Sequence, residues 1–168
     1  GLYPGNAITD KTPELIEACK VSLLDRGFGQ KSGANGSGWG KANKVNLWAR
    51  AKDGNRAYSM LRELINKNIA PNLWDFHPPY QMDGNCGYTS GVCEMLCYSS
   101  DDIIELLPAL PEEWKNGSVK GLCARGGYSL DFTWENGEIK SLSVYSSCGK
   151  KTARIKTGDE IKTVKTVR

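Results

Sequence analysis

The chain has 168 residues, of which 39% are apolar and 24% are charged, and its formal net charge at pH 7 is +3. This composition is ordinary for a globular protein with its own core, and the small, scattered positive charge argues against binding to nucleic acid or to a membrane surface. No apolar run approaches the roughly 18 residues that span a bilayer. No signal peptide is recognisable at Gly1, and since that residue is not Met we expect a longer or processed protein.

Four segments before residue 107 have the apolar periodicity of helices. The first helix begins near Pro13, because proline suits a first helical turn, and it ends near Gly27. The other helices are predicted over residues 41–51, 57–66 and 87–99, and the glycine-rich residues 28–38 are predicted to be a loop. Trp48 falls on the apolar face of the second helix, so we expect it in the core.

The sequence pattern changes from helix to strand in the last third of the chain. Residues 128–134 and 139–145 alternate between apolar and polar, and Asn136-Gly137 between them is typical of a tight hairpin. Further short strands are predicted over residues 152–155 and 161–167. The sequence therefore predicts an α+β protein, with a helical segment over residues 1–107 and an antiparallel, β-sandwich-like domain over residues 108–168.

The six cysteines are interpreted as buried free thiols. Cys86, Cys93 and Cys97 are spaced by seven and four residues, as on one face of a helix. Disulfides and a metal site are the alternatives, but a metal site would need a CxxC pair or a histidine partner. We therefore predict no metal and no cofactor. Unpaired thiols favour the cytoplasm, and secretion stays open if an upstream signal is missing.

The segment from His77 to Asn85 has the composition of a functional loop. It holds the only histidine of the chain, followed by two prolines, which exclude a helix, and by Asp83-Gly84-Asn85. A rigid loop that displays an imidazole, a carboxylate and an amide is where catalytic residues concentrate. The alternative is a connector in which His77 caps one helix and Asp83 is the N-cap of a helix beginning near Asn85.

Ten blocks of sequence, taken together and in order, resemble the C-terminal part of glycoside hydrolase family 95, which comprises inverting α-L-fucosidases and their relatives. The resemblance covers nearly the whole chain. The blocks are Leu2–Gly5, Gly38-Trp39, Lys44–Arg50, Asp53–Tyr58, Pro71–Leu73, His77–Gly87, Ser90–Leu96, Leu107–Pro111, Gly117–Leu122 and Ala124–Gly127.

The resemblance implies that the helical segment is the last third of a six-hairpin (α/α) toroid, followed by a small β domain. It implies that Asp83 is the general base of catalysis and that His77 contacts sugar hydroxyls, with Asn85 and Trp39 as further substrate-binding candidates. The general acid, a glutamate, would lie upstream of this chain.

In function, the resemblance implies a parent enzyme that removes terminal α-L-fucosyl or related α-L-galactosyl residues from glycans by inversion. The expected partners of this chain are a glycan substrate and the missing N-terminal part of the same enzyme. The chain alone is expected to be inactive, because it holds only part of the active site.

The alternative is a non-catalytic carbohydrate-binding or structural module. A second carboxylate facing Asp83 would distinguish an enzyme from such a module, and the candidates within the chain are Asp75 and Glu94. Neither is a convincing general acid, and we expect Glu94 to pair with Arg50 or Arg56.

Overall fold

The computed structural model describes residues 1–27, 38–76, 80–100 and 102–167. Helices precede strands along the chain, which confirms the predicted α+β class. The helices are α1 (Pro13–Arg26), α2 (Gly38–Arg50), α3 (Gly54–Asn68) and α4 (Met82–Leu96). The strands are β1 (Cys97–Ser99), β2 (Ile104–Leu106), β3 (Gly117–Ala124), β4 (Tyr128–Glu135), β5 (Glu138–Ser146), β6 (Thr152–Thr157) and β7 (Glu160–Lys165).

Helices α1 and α3 begin and end at the residues that the sequence favours for those positions. Pro13 opens α1, and Gly27, with φ of 54°, closes it in a backbone conformation that costs glycine little. The Asp53 side chain caps α3 by accepting the N–H of Arg56 at 3.0 Å. The first and third predicted helices are therefore confirmed.

Helix α4 departs from its prediction at both ends. It begins at Met82, five residues before the predicted start at Gly87, because the prolines that exclude a helix end at Pro79. It ends at Leu96, and the chain continues as strand β1 instead of a last helical turn. Strand β1 pairs with β2, so residues 97–99 are extended by tertiary pairing that local periodicity does not predict.

Helix α2 packs against both α3 and α4. Glycines on α4 make its contact with α2 close: a Cβ at Gly91 would lie 2.5 Å from Val45 Cγ1, and one at Gly87 would lie 2.9 Å from the Ala42 side chain. Trp48, only 4% exposed, belongs to the core beneath these helices, as predicted. The two helices thus have a fixed relative position, which matters because both of their N-termini reach the candidate site.

The β part consists of two sheets around a second core. Strands β3, β4 and β5 form an antiparallel sheet, and Asn136 and Gly137 have φ of 52° and 77°, which confirms the predicted hairpin turn. The other sheet has the order β1-β2-β6-β7, and β2 pairs with β6 in parallel. Strand β2 precedes residue 108, and within residues 108–168 β3, β4 and β5 pair antiparallel, as do β6 and β7, in agreement with the predicted antiparallel domain. The long chain between β2 and β6 permits their parallel crossover.

The change from helix to strand comes at Cys97, earlier than residue 107, the end of the helical segment in the sequence analysis. Strands β1 and β2 lie between these positions and belong to the same sheet as β6 and β7. Their hydrogen bonds therefore join the segment after α4 to the C-terminal end of the chain.

The six cysteines, all of them within the described residues, are free thiols. Cys97 is buried, and burial raises the pKa of its thiol to about 12. The expectation of burial is wrong for Cys86, Cys123 and Cys148, which are exposed. Cys86 and Cys97 do not share a helix face, because α4 ends before Cys97.

Candidate active site

Asp83 lies in the first turn of α4, whose N-cap is Gln81. It is therefore neither in an irregular loop, as the sequence suggested, nor the N-cap of the alternative reading. Its side chain is exposed, and its Oδ1 accepts the N–H of Gly84 at 3.0 Å. A carboxylate is favourable at this position, because the free N–H groups and the dipole of a helix N-terminus attract negative charge.

Asn85 uses its side-chain amide to hold the segment before α4. Its Oδ1 accepts the N–H of Asp75 at 2.8 Å, and its Nδ2 donates to the carbonyl of Leu73 at 2.8 Å. Both ends of the amide are thus bonded to backbone. The structure therefore gives Asn85 a clear structural task, and a contact with sugar stays a prediction.

Trp39 lies in the first turn of α2, which begins three residues before the predicted start at residue 41. Its backbone N–H donates to Gln81 Oε1 at 3.4 Å, and its ring lies against Gly87, where a Cβ would come 3.0 Å from Cζ3. Trp39 as a whole is still 41% exposed. Trp39 is therefore beside the turn that carries Asp83, with much of its surface open.

His77 lies outside the described residues, so its predicted contact with sugar hydroxyls stays a prediction. Its described neighbours Phe76 and Tyr80 pair in an isolated antiparallel bridge. The rings of Trp74 and Tyr80 lie 4.8 Å apart and are tilted by 35°. Trp74, Phe76 and Tyr80 are all exposed, which gives this end of the molecule an aromatic surface.

Asp75 is a candidate second carboxylate in the sequence analysis, which does not predict a buried position for it. Its side chain is fully buried at 0% exposure, against Gly38 at the start of α2 and Gly84 in α4. A Cβ on either glycine would overlap the Asp75 carboxylate. Gly38 and Gly84 are not adjacent to Asp75 along the chain, so no local sequence pattern predicts that the three residues are in contact. Only the tertiary structure shows this cluster.

Glu94 is not a second carboxylate of the site. Its Oε2 lies 2.7 Å from Arg50 Nε, which confirms the predicted pairing with Arg50. Burial raises the pKa of Glu94, and the charge of Arg50 opposes that rise. The ion pair joins α2 to α4 inside the helical part.

The described part of the chain holds no group of three or more His, Cys, Asp or Glu side chains that could bind a metal ion. Among the same residues, no helix is both long enough and apolar enough to cross a membrane.

Comparison with known proteins identifies the family. The family model described as "Glycosyl hydrolase family 95 catalytic domain" matches residues 1–96, and the model described as "Glycoside hydrolase family 95, C-terminal domain" matches residues 98–167. This chain belongs to glycoside hydrolase family 95. The two family 95 domains meet where α4 ends and β1 begins.

Relatives of the family 95 chain include plant and fungal proteins. The chain is 36% identical to Alpha-L-fucosidase 2 of Arabidopsis thaliana over 159 residues, which cover 87% of this chain and 18% of that protein. It is 33% identical to Probable alpha-fucosidase A of Aspergillus oryzae over 158 residues, covering 81% of this chain and 21% of that protein. The chain thus spans about a fifth of the length of these relatives.

Proposed function

We propose that this chain is the C-terminal part of a glycoside hydrolase that removes terminal α-L-fucosyl, or related α-L-galactosyl, residues from glycans with inversion. The observation that carries the proposal is the match of residues 1–96 to the catalytic domain of family 95. The names of the plant and fungal relatives support the substrate class. In this proposal the helices close a toroid whose remainder comes from the preceding part of the enzyme.

Asp83 is the general base in this proposal. An inverting glycosidase needs a carboxylic acid on one side of the glycosidic bond and a base, about 6.5–9.5 Å away, that activates water on the other. One Asp83 oxygen accepts the Gly84 N–H, which orients the carboxylate, and the other oxygen can accept a proton from water. The water oxygen then bonds to the anomeric carbon as the glycosidic bond breaks, and the leaving oxygen takes its proton from the general acid.

The other site residues bind the sugar in this scheme. The exposed part of the Trp39 indole is suited to stacking on a sugar ring or on the methyl group of a deoxy sugar. His77 contacts sugar hydroxyls. The general acid is a glutamate of the preceding part of the enzyme, which makes that part an obligatory partner and this chain alone inactive.

The test is Asp83→Asn in the full-length enzyme. The change keeps the shape of the side chain and removes the base, so release of fucose should fall by about 10² to 10⁴, the usual contribution of positioned acid–base catalysis. Substrate affinity should change much less. Asp53→Asn is the matched control, because it alters an aspartate at the N-terminus of α3, where asparagine also caps well.

Normal turnover of Asp83→Asn would contradict the assignment of the base. In that case the alternative, a non-catalytic carbohydrate-binding or structural module, would account better for this chain.

A further inference from the structure

Asp75 places a carboxylate where the N-termini of two helices meet. Gly38 is the first residue of α2, Gly84 lies in the first turn of α4, and the Asp75 oxygens lie against both. Burial of a carboxylate is costly unless nearby groups stabilise its charge. The dipole of a helix favours negative charge at its N-terminus, and the Asp75 carboxylate lies at the N-termini of both α2 and α4.

Three residues on either side of Asp83 contact Asp75: Gln81, Gly84 and Asn85. The Gln81 N–H donates to the Asp75 carbonyl at 3.1 Å, and Asn85 Oδ1 accepts the Asp75 N–H at 2.8 Å. Gly84 lies against the Asp75 carboxylate. Because Asp83 lies between these residues, its position follows that of Asp75.

The segment of Asp75 is also anchored on the side of α2 and α3. Lys41 of α2, 4% exposed, donates to Asn68 Oδ1 at 2.8 Å, and Asn68 Nδ2 donates to the carbonyl of Phe76 at 3.3 Å. Burial lowers the pKa of the Lys41 ammonium, and attraction to Glu63 and Asp75 opposes that shift. The Asp75 segment therefore connects α2 and α3 to the turn that carries Asp83.

We propose that Asp75 is a positioning residue for catalysis, which holds the first turn of α4 against α2 and so keeps the Asp83 carboxylate in its productive place. This inference rests on the proposed function of Asp83 as general base. A misplacement of a catalytic group by about 1 Å costs on the order of 10²-fold in rate. Loss of the Asp75 charge should lower the rate by displacing the Asp83 carboxylate, although Asp75 itself does not contact the substrate.

A double-mutant cycle in the full-length enzyme tests the inference, with fucose release from an α-L-fucosyl oligosaccharide as the measurement. Asp75→Asn should lower kcat by about 10- to 10²-fold and change KM by less than about threefold. In the Asp83→Asn background the same substitution should change the residual turnover by less than about threefold, because a group that acts through Asp83 loses its effect when Asp83 is gone.

Two results would overturn the inference: an Asp75→Asn enzyme with normal kcat, or an equal fall in kcat in both backgrounds. Neither result would contradict the role of Asp83 as general base. That role, and with it the proposed function, would be contradicted by a normal kcat in Asp83→Asn. Asp53→Asn is the matched control, an aspartate to asparagine change at the N-terminus of α3, and its kcat should stay within about threefold of the parent.

A second variant keeps the inference testable if Asp75→Asn does not fold. Asn85→Ala removes the amide that joins α4 to the Asp75 backbone and leaves the buried charge in place. It should lower kcat in the parent and have little effect beside Asp83→Asn. Circular dichroism and thermal melting verify that each variant is folded, and an unchanged kcat for folded Asn85→Ala would overturn the inference.

Discussion

Arg50 Nε lies 2.7 Å from Glu94 Oε2, so an ion pair joins α2 to α4 where the side chains are only 7% and 20% exposed. The Arg50 guanidinium also lies 4.3 Å from the centre of the Tyr98 ring, in the first strand after α4. The same arginine thus connects two helices of the catalytic-domain match to the beginning of the C-terminal domain.

Arg50→Met should destabilise the protein by about 3 kcal/mol at pH 7, because it leaves Glu94 as a buried carboxylate without its cation. The pKa of Glu94, already above its ordinary value of 4.5, should then rise further. The folded state would bind a proton that the unfolded state releases, so the stability of the variant falls as pH rises from 4.5. Denaturant unfolding at several pH values measures this.

Arg56→Met is the control for that prediction. Arg56 lies over the Trp48 ring at 4.9 Å, but its side chain is 44% exposed. Its loss should cost less than about 1 kcal/mol with little dependence on pH. Equal losses for the two arginines would show that the Arg50–Glu94 pair contributes nothing beyond ordinary surface packing.

A second prediction concerns four charges that join the helical part to the β part. Lys52 lies 2.6 Å from Asp10 and 2.8 Å from Glu105 of β2, and Lys156 of β6 lies 3.2 Å from each of these acids. Burial by itself lowers the pKa of Lys156, but its hydrogen bonds to Glu105 and Asp10 outweigh this and raise the pKa to about 12.

The stabilisation by Lys156 should be complete below its ordinary pKa of 10.5 and should disappear as pH rises through about 12. The unfolding free energy of the parent should therefore fall over this range more than that of Lys156→Met. Lys162→Met is the control, because Lys162 is 66% exposed and pairs only with Glu160 among the described residues. Parallel pH curves for the parent and Lys156→Met would contradict the prediction.

The same network predicts a loss of stability in acid. Burial alone would raise the pKa of Asp10, but Lys52 and Lys156 hold it below its ordinary value of 3.8. The stabilisation is present above 3.8 and should be lost as pH falls through the lowered pKa. Asp10→Asn should remove that part of the acid transition in denaturant unfolding between about pH 5 and 2.

Trp39→Ala should raise KM for an α-L-fucoside by about tenfold in the full-length enzyme, the effect of losing one aromatic stacking contact. Its effect on kcat should be smaller, since Trp39 holds the sugar and moves no proton. Trp39→Phe keeps an aromatic ring and should restore most of the affinity. An unchanged KM in Trp39→Ala would mean that the exposed indole packs against another part of the protein.

The different exposure of the cysteines predicts the order in which an alkylating reagent labels them. At pH 8 an alkylating reagent should modify the exposed Cys86, Cys123 and Cys148 in the folded protein. Cys97 should react only after unfolding, because it is buried and a pKa of about 12 leaves almost no thiolate. Mass spectrometry of folded and denatured samples measures this, and early labelling of Cys97 would contradict its burial in the folded protein.

Local signals in the sequence predicted most of the secondary structure. Pro13 and Gly27 bound α1, and Asn136-Gly137 forms the predicted hairpin turn, because these residues have conformational preferences that act within a few positions. Strands β1 and β2 were not predicted from the sequence. Each has only three residues, too few for a visible alternation, and their extended conformation depends on pairing with each other and with β6.

The sequence by itself determined the family and the identity of Asp83 as the candidate base, since both follow from the order of residues along the chain. Only the tertiary structure decided what surrounds that residue. Asp75 became part of the site because two helix starts with glycines, Gly38 and Gly84, come together around its carboxylate. That arrangement arises from the packing of α2 against α4, a contact between distant segments that composition and periodicity do not encode.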